Sequence, residues 1–455
     1  MLRVYEKMSQ FIGEALSKHL FYPLWDIKDR SVRLRSLKEL NKAQWMPLEK
    51  RSVMISRKLT AIIKHAYETT RYYKELFDKL GIDIDKLELP REIESIPILR
   101  KDDIRNRTEN LISLAYGKSV LLKSKTGGST GTSLEVWADK ECVERRNAAA
   151  IRSDMWAGWR LGAMRGALWG NPTKPDTLKK RLYSMCIQRV EVLDTITMND
   201  ATLSAFANTL QAKAIKHLFG HSHSLFLFAD YCLFHKISLV MESIVATSMM
   251  LIDNERRIIE DAFQCKVQNR YGCEEVSLIA SECSCYDGLH VNTDHVFVEI
   301  IKDDGIKAQH GEMGRIIVTD LINYGMPFIR YEVGDYGVMA VKKCSCGRTL
   351  PLLEKVVGRV ADFLIKKDGT KVAGISLIER TLTKVVGIKQ MQIIQDKIDC
   401  LIVKIVHGDA YSSITNQRLI DELAAVFQGV KIDILTVEKI DQDKNGKYRF
   451  AVCNL

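Results

Sequence analysis

A large α/β domain followed by a small α+β domain is the architecture the 455-residue sequence predicts. Three observations predict it. The chain is too long for one ordinary domain. Between about residues 140 and 270, helix-like runs alternate with short apolar runs, the pattern of α/β layers. After Gly358-Arg359 a compact strand and helix pattern begins that is complete in itself.

The elements follow in order. Residues 1–115 read as helical, with LEKRSVMISRKLTAIIKHAYETTRYYKELFDKL ending at Gly81. From about 119 a β-rich stretch begins, SVLLKSK, a Gly-rich turn and TSLEVWAD. In the middle region ECVERRNAAAIRSDMWAG and NDATLSAFANTLQAKAI read as helices, and SLFLFA and ISLVMES as short apolar runs alternating with them. HVFVEII, GRIIVTDL and YGVMAVKK read as strands. Beyond the boundary come a hairpin turning at Asp368-Gly369, a helix at SLIERTLTKVV, strands MQIIQ and LIVKIV, a helix at NQRLIDELAAVFQ and a strand KIDILTV. The domains are thus 1–357 and 358–455.

Composition narrows the function classes. Hydrophobic residues make up 46% and charged residues 27%, a globular balance. The net charge of +10 suits anionic ligands such as nucleotides, and without a basic tail nucleic acid is not expected as a partner. The N-terminal stretch lacks the pattern of a secretory signal, and no run is apolar enough to span a bilayer. Around Phe11, Leu16, Leu20 and Phe21 the chain is mildly amphipathic, a face expected to pack on the body of the protein rather than on a membrane. The eleven cysteines are then expected as reduced thiols in a cytoplasm.

The strongest local signal is Ser124-Lys125-Thr126-Gly127-Gly128-Ser129-Thr130-Gly131, between two strand-like runs. Glycines let the backbone approach an anion closely and present its N–H groups. Ser and Thr add hydroxyl donors. It is not a Walker A loop, because no Gly-Lys-Ser/Thr ending leads into a helix. A hairpin loop built of turn formers is the plain alternative.

Further motifs follow in order: Tyr271-Gly272-Cys273-Glu274-Glu275, Arg330-Tyr331-Glu332-Val333-Gly334-Asp335, Gly358-Arg359-Val360-Ala361-Asp362 and Asn445-Gly446-Lys447-Tyr448-Arg449. Together with the glycine-rich loop they resemble the adenylate-forming superfamily of acyl-CoA synthetases and adenylation domains. HAYETTRYYKELFDKLGI followed by IPILRKDDIR is similar to the phenylacetate–CoA ligase branch, its capsular-polysaccharide-associated, CapK-type members in particular.

The resemblance implies a large adenylation domain and a small mobile lid. The loop would bind ATP phosphates, Tyr271 and Gly272 would lie at adenine, and Asp335 would take the ribose hydroxyls. Glu275 would help hold Mg²⁺, Arg359 would sit at the hinge near the nucleotide, and Lys447 would contact the carboxylate and the α-phosphate. Catalysis is assigned to Lys447, Glu275 and Thr126.

Each residue type also has a plain structural reading. Asp335 follows Gly334 as a turn residue would, Glu275 suits a helix start, Tyr271 a core position, and Lys447 a solvated loop. Arg330 is as readily structural. Two positions depart from the family pattern. Glu274 adds a negative charge where relatives carry a hydroxyl, and Ala361 stands where the hinge often has an acid.

Cys283-x-Cys285 with His290, and Cys344-x-Cys346, sit in polar surroundings that core packing does not explain. Thiolates and imidazole suit a closed, structural zinc site. The expected ligands are Cys283, His290, Cys344 and Cys346, with Cys285 an alternative to Cys283; unrelated thiols are the plain alternative.

The expected reaction is ATP-dependent activation of a carboxylic acid, aryl or small acyl, as the acyl-adenylate, followed by transfer to a thiol, with CoA the expected acceptor. An amine or hydroxyl acceptor, or a non-catalytic nucleotide-binding protein, are the competing readings. Trp169, Gly170, Phe219 to Ala229 and Thr247 to Met250 are candidates to line the acid pocket, with His221 and His223 beside it or on a surface turn. The sequence leaves a homodimer open.

Overall fold

The computed structural model describes residues 10–125, 134–170, 172, 175–359, 363–441 and 449–455. Thr126 to Gly131 of the phosphate loop and Lys447 lie outside the described residues, as does the Arg359 side chain. The chain divides into two compact units, one of Met1–Met164, Pro175–Arg189 and Gln268–Lys355, the other of Arg165–Lys174, Val190–Val267 and Val356–Leu455.

In the first unit the long helical stretch of the sequence is two helices, Leu48–Thr69 and Arg71–Leu80. Thr70 breaks them: its backbone is extended and its hydroxyl accepts the Tyr73 N–H, capping the second helix. Gly81 ends that helix at φ +66°, a conformation glycine adopts without strain. Leu59, Ile62 and Ile63 are buried on the first helix, and Tyr73 and Phe77 on the second. The Tyr73 hydroxyl accepts the Ile329 N–H at 2.9 Å, which fixes the helices to the segment leading into the strand Tyr331–Met339.

Two antiparallel strand groups complete this unit. Val296–Ile301, Met313–Asp320 and Tyr331–Met339 form a meander. Val267–Cys273, Ser277–Ser281 and Leu289–Val291 form a second run. Leu352–Arg359 joins them, pairing with Leu289–Val291. Leu122–Lys125 and Glu135–Ala138 pair antiparallel, so the strands flanking the phosphate loop belong to one ribbon. Asp139 then caps the helix Lys140–Trp156, accepting the Cys142 N–H at 2.8 Å.

The second unit holds four parallel strands in the order Ser243–Thr247, His217–His221, Arg165–Trp169, Val190–Asp194. Here one expectation is corrected. SLFLFA, read from the sequence as a short apolar run between helix-like ones, is itself helical and lies inside the helix Ser222–Phe234, whose residues are buried almost all round. A short run apolar on every side looks alike in a buried helix and a buried strand. The neighbouring strands are His217–His221 and, just after ISLVMES, Ser243–Thr247.

The C-terminal part of this unit matches its predicted elements. The hairpin Phe363–Ile365/Lys371–Ala373 turns at Asp368-Gly369, and the helix Gly374–Lys384 follows. A four-stranded sheet runs Lys431–Thr436, Cys400–His407, Ile388–Lys397, Ala451–Cys453. The helix Ser413–Ala424 starts from a Ser412/Thr415 capping box. Leu401, Val403, Ile405, Leu419, Leu423 and Phe427 form the centre of its core.

Candidate active site and metal centre

The hairpin Val267–Cys273/Ser277–Ser281 presents the aromatic-Gly-x-x-Glu motif. A Cβ on Gly272 would stand 2.4 Å from the Ser277 carbonyl oxygen, so the close approach of the two strands demands glycine there. The register shifts between Tyr271 and Gly272, a bulge that redirects the side chains after it. Glu275 is buried and Glu274 is exposed, which turns the extra charge into solvent.

Two hydrogen bonds join this hairpin to the strand Tyr331–Met339. Tyr271 Oη donates to Asp335 Oδ2 at 2.8 Å. Tyr331 Oη donates to Glu275 Oε1 at 2.8 Å. The two motifs, far apart in sequence, therefore share one surface, with the aromatic ring proposed for adenine bonded to the carboxylate proposed for ribose. Burial, reinforced by Glu275, pushes the Tyr331 phenol far above its usual range and makes it a fixed donor. The same two causes keep the neighbouring Cys273 thiol protonated.

Arg146, on the helix Lys140–Trp156, donates to the Glu275 carbonyl at 2.9 Å and to Asp320 Oδ2 at 2.6 Å. Burial alone would lower its basicity; the charge of Asp320 outweighs that and holds the guanidinium charged. Asp320 Oδ1 also accepts the Ile322 and Asn323 N–H groups. Arg146, Asp320 and the role of Tyr331 are not evident in the sequence. The signal for Tyr331 is its place inside the Arg-Tyr-Glu-Val-Gly-Asp motif. For Arg146 the only hint is a cation on a helix face shared with Cys142, Val143, Ala149 and Ala150, which tells nothing of its partners.

Arg330 is structural. It is buried, its guanidinium makes a two-pronged pair with Glu299 at 3.1 Å, and it donates to the Glu94 and Ile96 carbonyls. Of the phosphate loop only Ser124 and the Lys125 backbone are described, at the end of the strand Leu122–Lys125.

In the second unit Trp169, His221 and Thr247 stand at the C-terminal ends of three adjacent parallel strands, the edge where open α/β sheets bind ligands. Trp169 lies parallel to Phe219, with ring centroids 5.5 Å apart, and 4.4 Å from the His221 ring. His221 and His223 are buried, which excludes a surface turn. His223 Nδ1 lies 2.6 Å from Glu255 Oε1. Leu225, Phe226 and Phe228 pack in the interior.

Cys283, His290, Cys344 and Cys346 come together with all four donor atoms within 4.8 Å of one another. Cys283 Sγ is 3.6 Å from Cys344 Sγ, and Cys346 Sγ is 3.4 Å from His290 Nε2. Donors about 2.3 Å from a tetrahedral ion stand about 3.8 Å apart, so the set fits zinc. Cys285 packs beside the cluster rather than within the donor set. Burial holds His290 down to about 4, so its ring is neutral, the form that ligates a metal.

The surrounding groups orient the ligands. Asp287 Oδ2 accepts the Ser345 N–H at 2.8 Å and its hydroxyl at 2.6 Å, clamping the Cys344–Cys346 turn. The Arg348 N–H reaches Cys346 Sγ at 3.4 Å. Burial would raise the Cys346 thiol, but hydrogen bonds, that of Arg348 foremost, bring it below its ordinary value. Trp156 meets the His290 ring edge-on at 5.5 Å.

Comparison with known proteins finds relatives along most of the chain. Residues 364–454 match the CapK C-terminal domain. The chain is 25% identical to Protein CapK of Staphylococcus aureus over 85% of this chain and 86% of that protein. It is 24% identical to phenylacetate-coenzyme A ligase of Thermus thermophilus over 70% of this chain and 73% of that one. Among solved structures, 2-hydroxyisobutyryl-CoA ligase in its postadenylation state superposes with a TM-score of 0.75 at 17% identity, covering 90% of this chain and 91% of that one. The chain is thus a homologue of CapK and of the phenylacetate–CoA ligases, with the fold of the adenylate-forming ligases and a CapK domain at its C-terminal end.

Proposed function

We propose that this protein is an AMP-forming ligase that activates a carboxylic acid with ATP and transfers the acyl group to the thiol of CoA. The observation that carries the reading is the joining of Tyr271 to Asp335 and of Glu275 to Tyr331 on one surface of an adenylate-forming fold. The phenylacetate–CoA ligase relatives support a CoA acceptor.

In the first step a carboxylate oxygen attacks the α-phosphorus of ATP. The bond to the β-phosphate bridging oxygen breaks, and pyrophosphate leaves. Tyr271 offers its face to adenine and Asp335 accepts from the ribose hydroxyls. Thr126 to Gly131 with Ser124 bind the phosphates, and Lys447 bridges carboxylate and α-phosphate. Glu275, held by Tyr331 and placed by Arg146, offers the hard oxygen that Mg²⁺ prefers, and that ion neutralises phosphate charge when bound. In the second step the CoA thiol attacks the acyl carbonyl and AMP leaves. Residues 358–455 act as a lid moving about Gly358-Arg359 relative to 1–357, so that one site serves both steps. The aromatic ridge of Trp169, Phe219 and His221 suits an aryl or small acyl acid. Zinc held by Cys283, His290, Cys344 and Cys346 ties two loops together and has no part in the chemistry.

The test is incubation with ATP, Mg²⁺ and a panel of aryl, short-chain and amino acids, with and without CoA. AMP and an acyl-CoA product, both requiring one class of acid, are expected. Pyrophosphate exchange without thioester would move the acceptor to an amine or hydroxyl. No AMP with any acid would leave a nucleotide-binding protein.

A further inference from the structure

The helical segment that opens the described chain, expected from the sequence to pack its apolar face on the body, instead carries an apolar stripe that the fold leaves in solvent. Ile12, Leu16, Leu20, Leu24 and Ile27 recur every four and then three residues, along one face of a helix. All five are exposed, Ile27 by 74%. The opposite face is occupied: Tyr22 and Asp26 are buried, the Ser17 hydroxyl donates to the Cys186 carbonyl at 2.6 Å, and Asp26 pairs with Arg33.

A second helical stretch lies alongside it, Leu178–Tyr183 continuing through Ser184–Gln188. Trp25 and Tyr183 meet between the two with ring centroids 5.0 Å apart, and Lys179 Nζ reaches Asp29 at 3.4 Å. This stretch repeats the pattern. Leu178, Leu182 and Met185 stand at helical spacing and are exposed, Leu178 by 74%. Two neighbouring helices thus each expose a stripe of apolar residues at helical spacing, more than the single exposed leucines usual on a surface.

Charge decides what covers it. The first helix contributes Lys18, Lys28 and Arg30, the second Lys179, Lys180 and Arg181. The acids on and beside these helices are Glu14, Asp26, Asp29 and Asp176, and each has a basic partner: Arg160, Arg33, Lys179 and Lys180 respectively. Cations therefore outnumber carboxylates around the apolar face. Contacts between protein surfaces are depleted in lysine at their centre. An apolar stripe flanked by long basic side chains, whose stems lie on the apolar layer while their heads reach phosphate, is the make-up of a helix lying in a lipid interface.

We propose that this face docks on the surface of an anionic lipid bilayer, seating the enzyme on the membrane without crossing it; no helix among the described residues is long and apolar enough to span. The test is flotation of the full chain with vesicles of phosphatidylcholine alone and of phosphatidylcholine with phosphatidylglycerol, at low and raised salt. Binding to the anionic vesicles only, weakened by salt, is expected. Leu24→Glu with Ile27→Glu should lower binding at least about tenfold while circular dichroism and Tm stay unchanged, since both side chains are exposed. Lys18→Glu with Lys28→Glu should remove the preference for anionic lipid. No flotation at low salt overturns the proposal, as does full binding by Leu24→Glu/Ile27→Glu. So does a dimer in lipid-free solution that this double variant dissociates; the face then meets a second copy of the chain.

Discussion

Asp335 and Tyr271 hold each other before any nucleotide arrives, and that sets what a single substitution does. Asp335→Ala removes both the proposed ribose acceptor and the anchor of the Tyr271 hydroxyl. A hydrogen bond to a charged group contributes about 1.5–3 kcal/mol, so ATP affinity should fall roughly ten- to a hundredfold. Isothermal titration with ATP checks this on a variant whose Tm is unchanged; unaltered affinity would take Asp335 out of the nucleotide site. Tyr331 acts one step further away, as a positioning residue for Glu275, because its proton cannot leave at any ordinary pH.

At the scale of elements, the hairpin and the cysteine turns make separate predictions. Gly272→Ala places a methyl group against the Ser277 carbonyl, so the strands must part. Overpacking of this kind costs about 1–3 kcal/mol. The variant should melt at lower temperature and lose adenylation, because Glu275 rides on the distorted turn, yet keep its full zinc content. Cys344→Ser with Cys346→Ser should do the reverse in metal analysis. The wild type should carry about one zinc per chain, and the double variant none, with a clear loss of Tm. Purified wild-type protein without zinc would show that the four donors cluster for another reason.

Across the whole molecule the prediction concerns Lys447 and the movement of residues 358–455. A lysine is a point charge on a flexible stem, able to meet an anionic centre as a domain closes. Its proposed partners exist only in the first half-reaction. Lys447→Ala should slow adenylate formation about 10²–10³-fold, the usual effect of losing one preorganised electrostatic contact. Transfer of a chemically supplied acyl-adenylate to CoA should survive. Stopped-flow measurement of the two half-reactions separates them; equal loss in both would mean that the lysine is structural or that the lid does not move.

Much of this was legible in the sequence because it is written locally. The C-terminal hairpin, helices and strands appear where turn residues and periodicity place them, since each signal spans only a few neighbouring residues. The helix break at Thr70 was not legible because apolar periodicity continues on both sides of it, and the helix around SLFLFA was not because burial on all sides erases the difference between periods. Motif order alone brought out Tyr271, Glu275 and Asp335, and Cys/His spacing the four metal-ligand candidates, with Cys285 an alternative to Cys283. Only the tertiary structure seats Cys283 among the donors and turns Glu274 outward. Only it reveals Tyr331, Arg146 and Asp320 as the supports of Glu275. The physical reason is the same in each case. A side chain's chemistry is set by its type, whereas its partner is set by which strands and helices meet, and those meetings join residues from 56 to 174 positions apart.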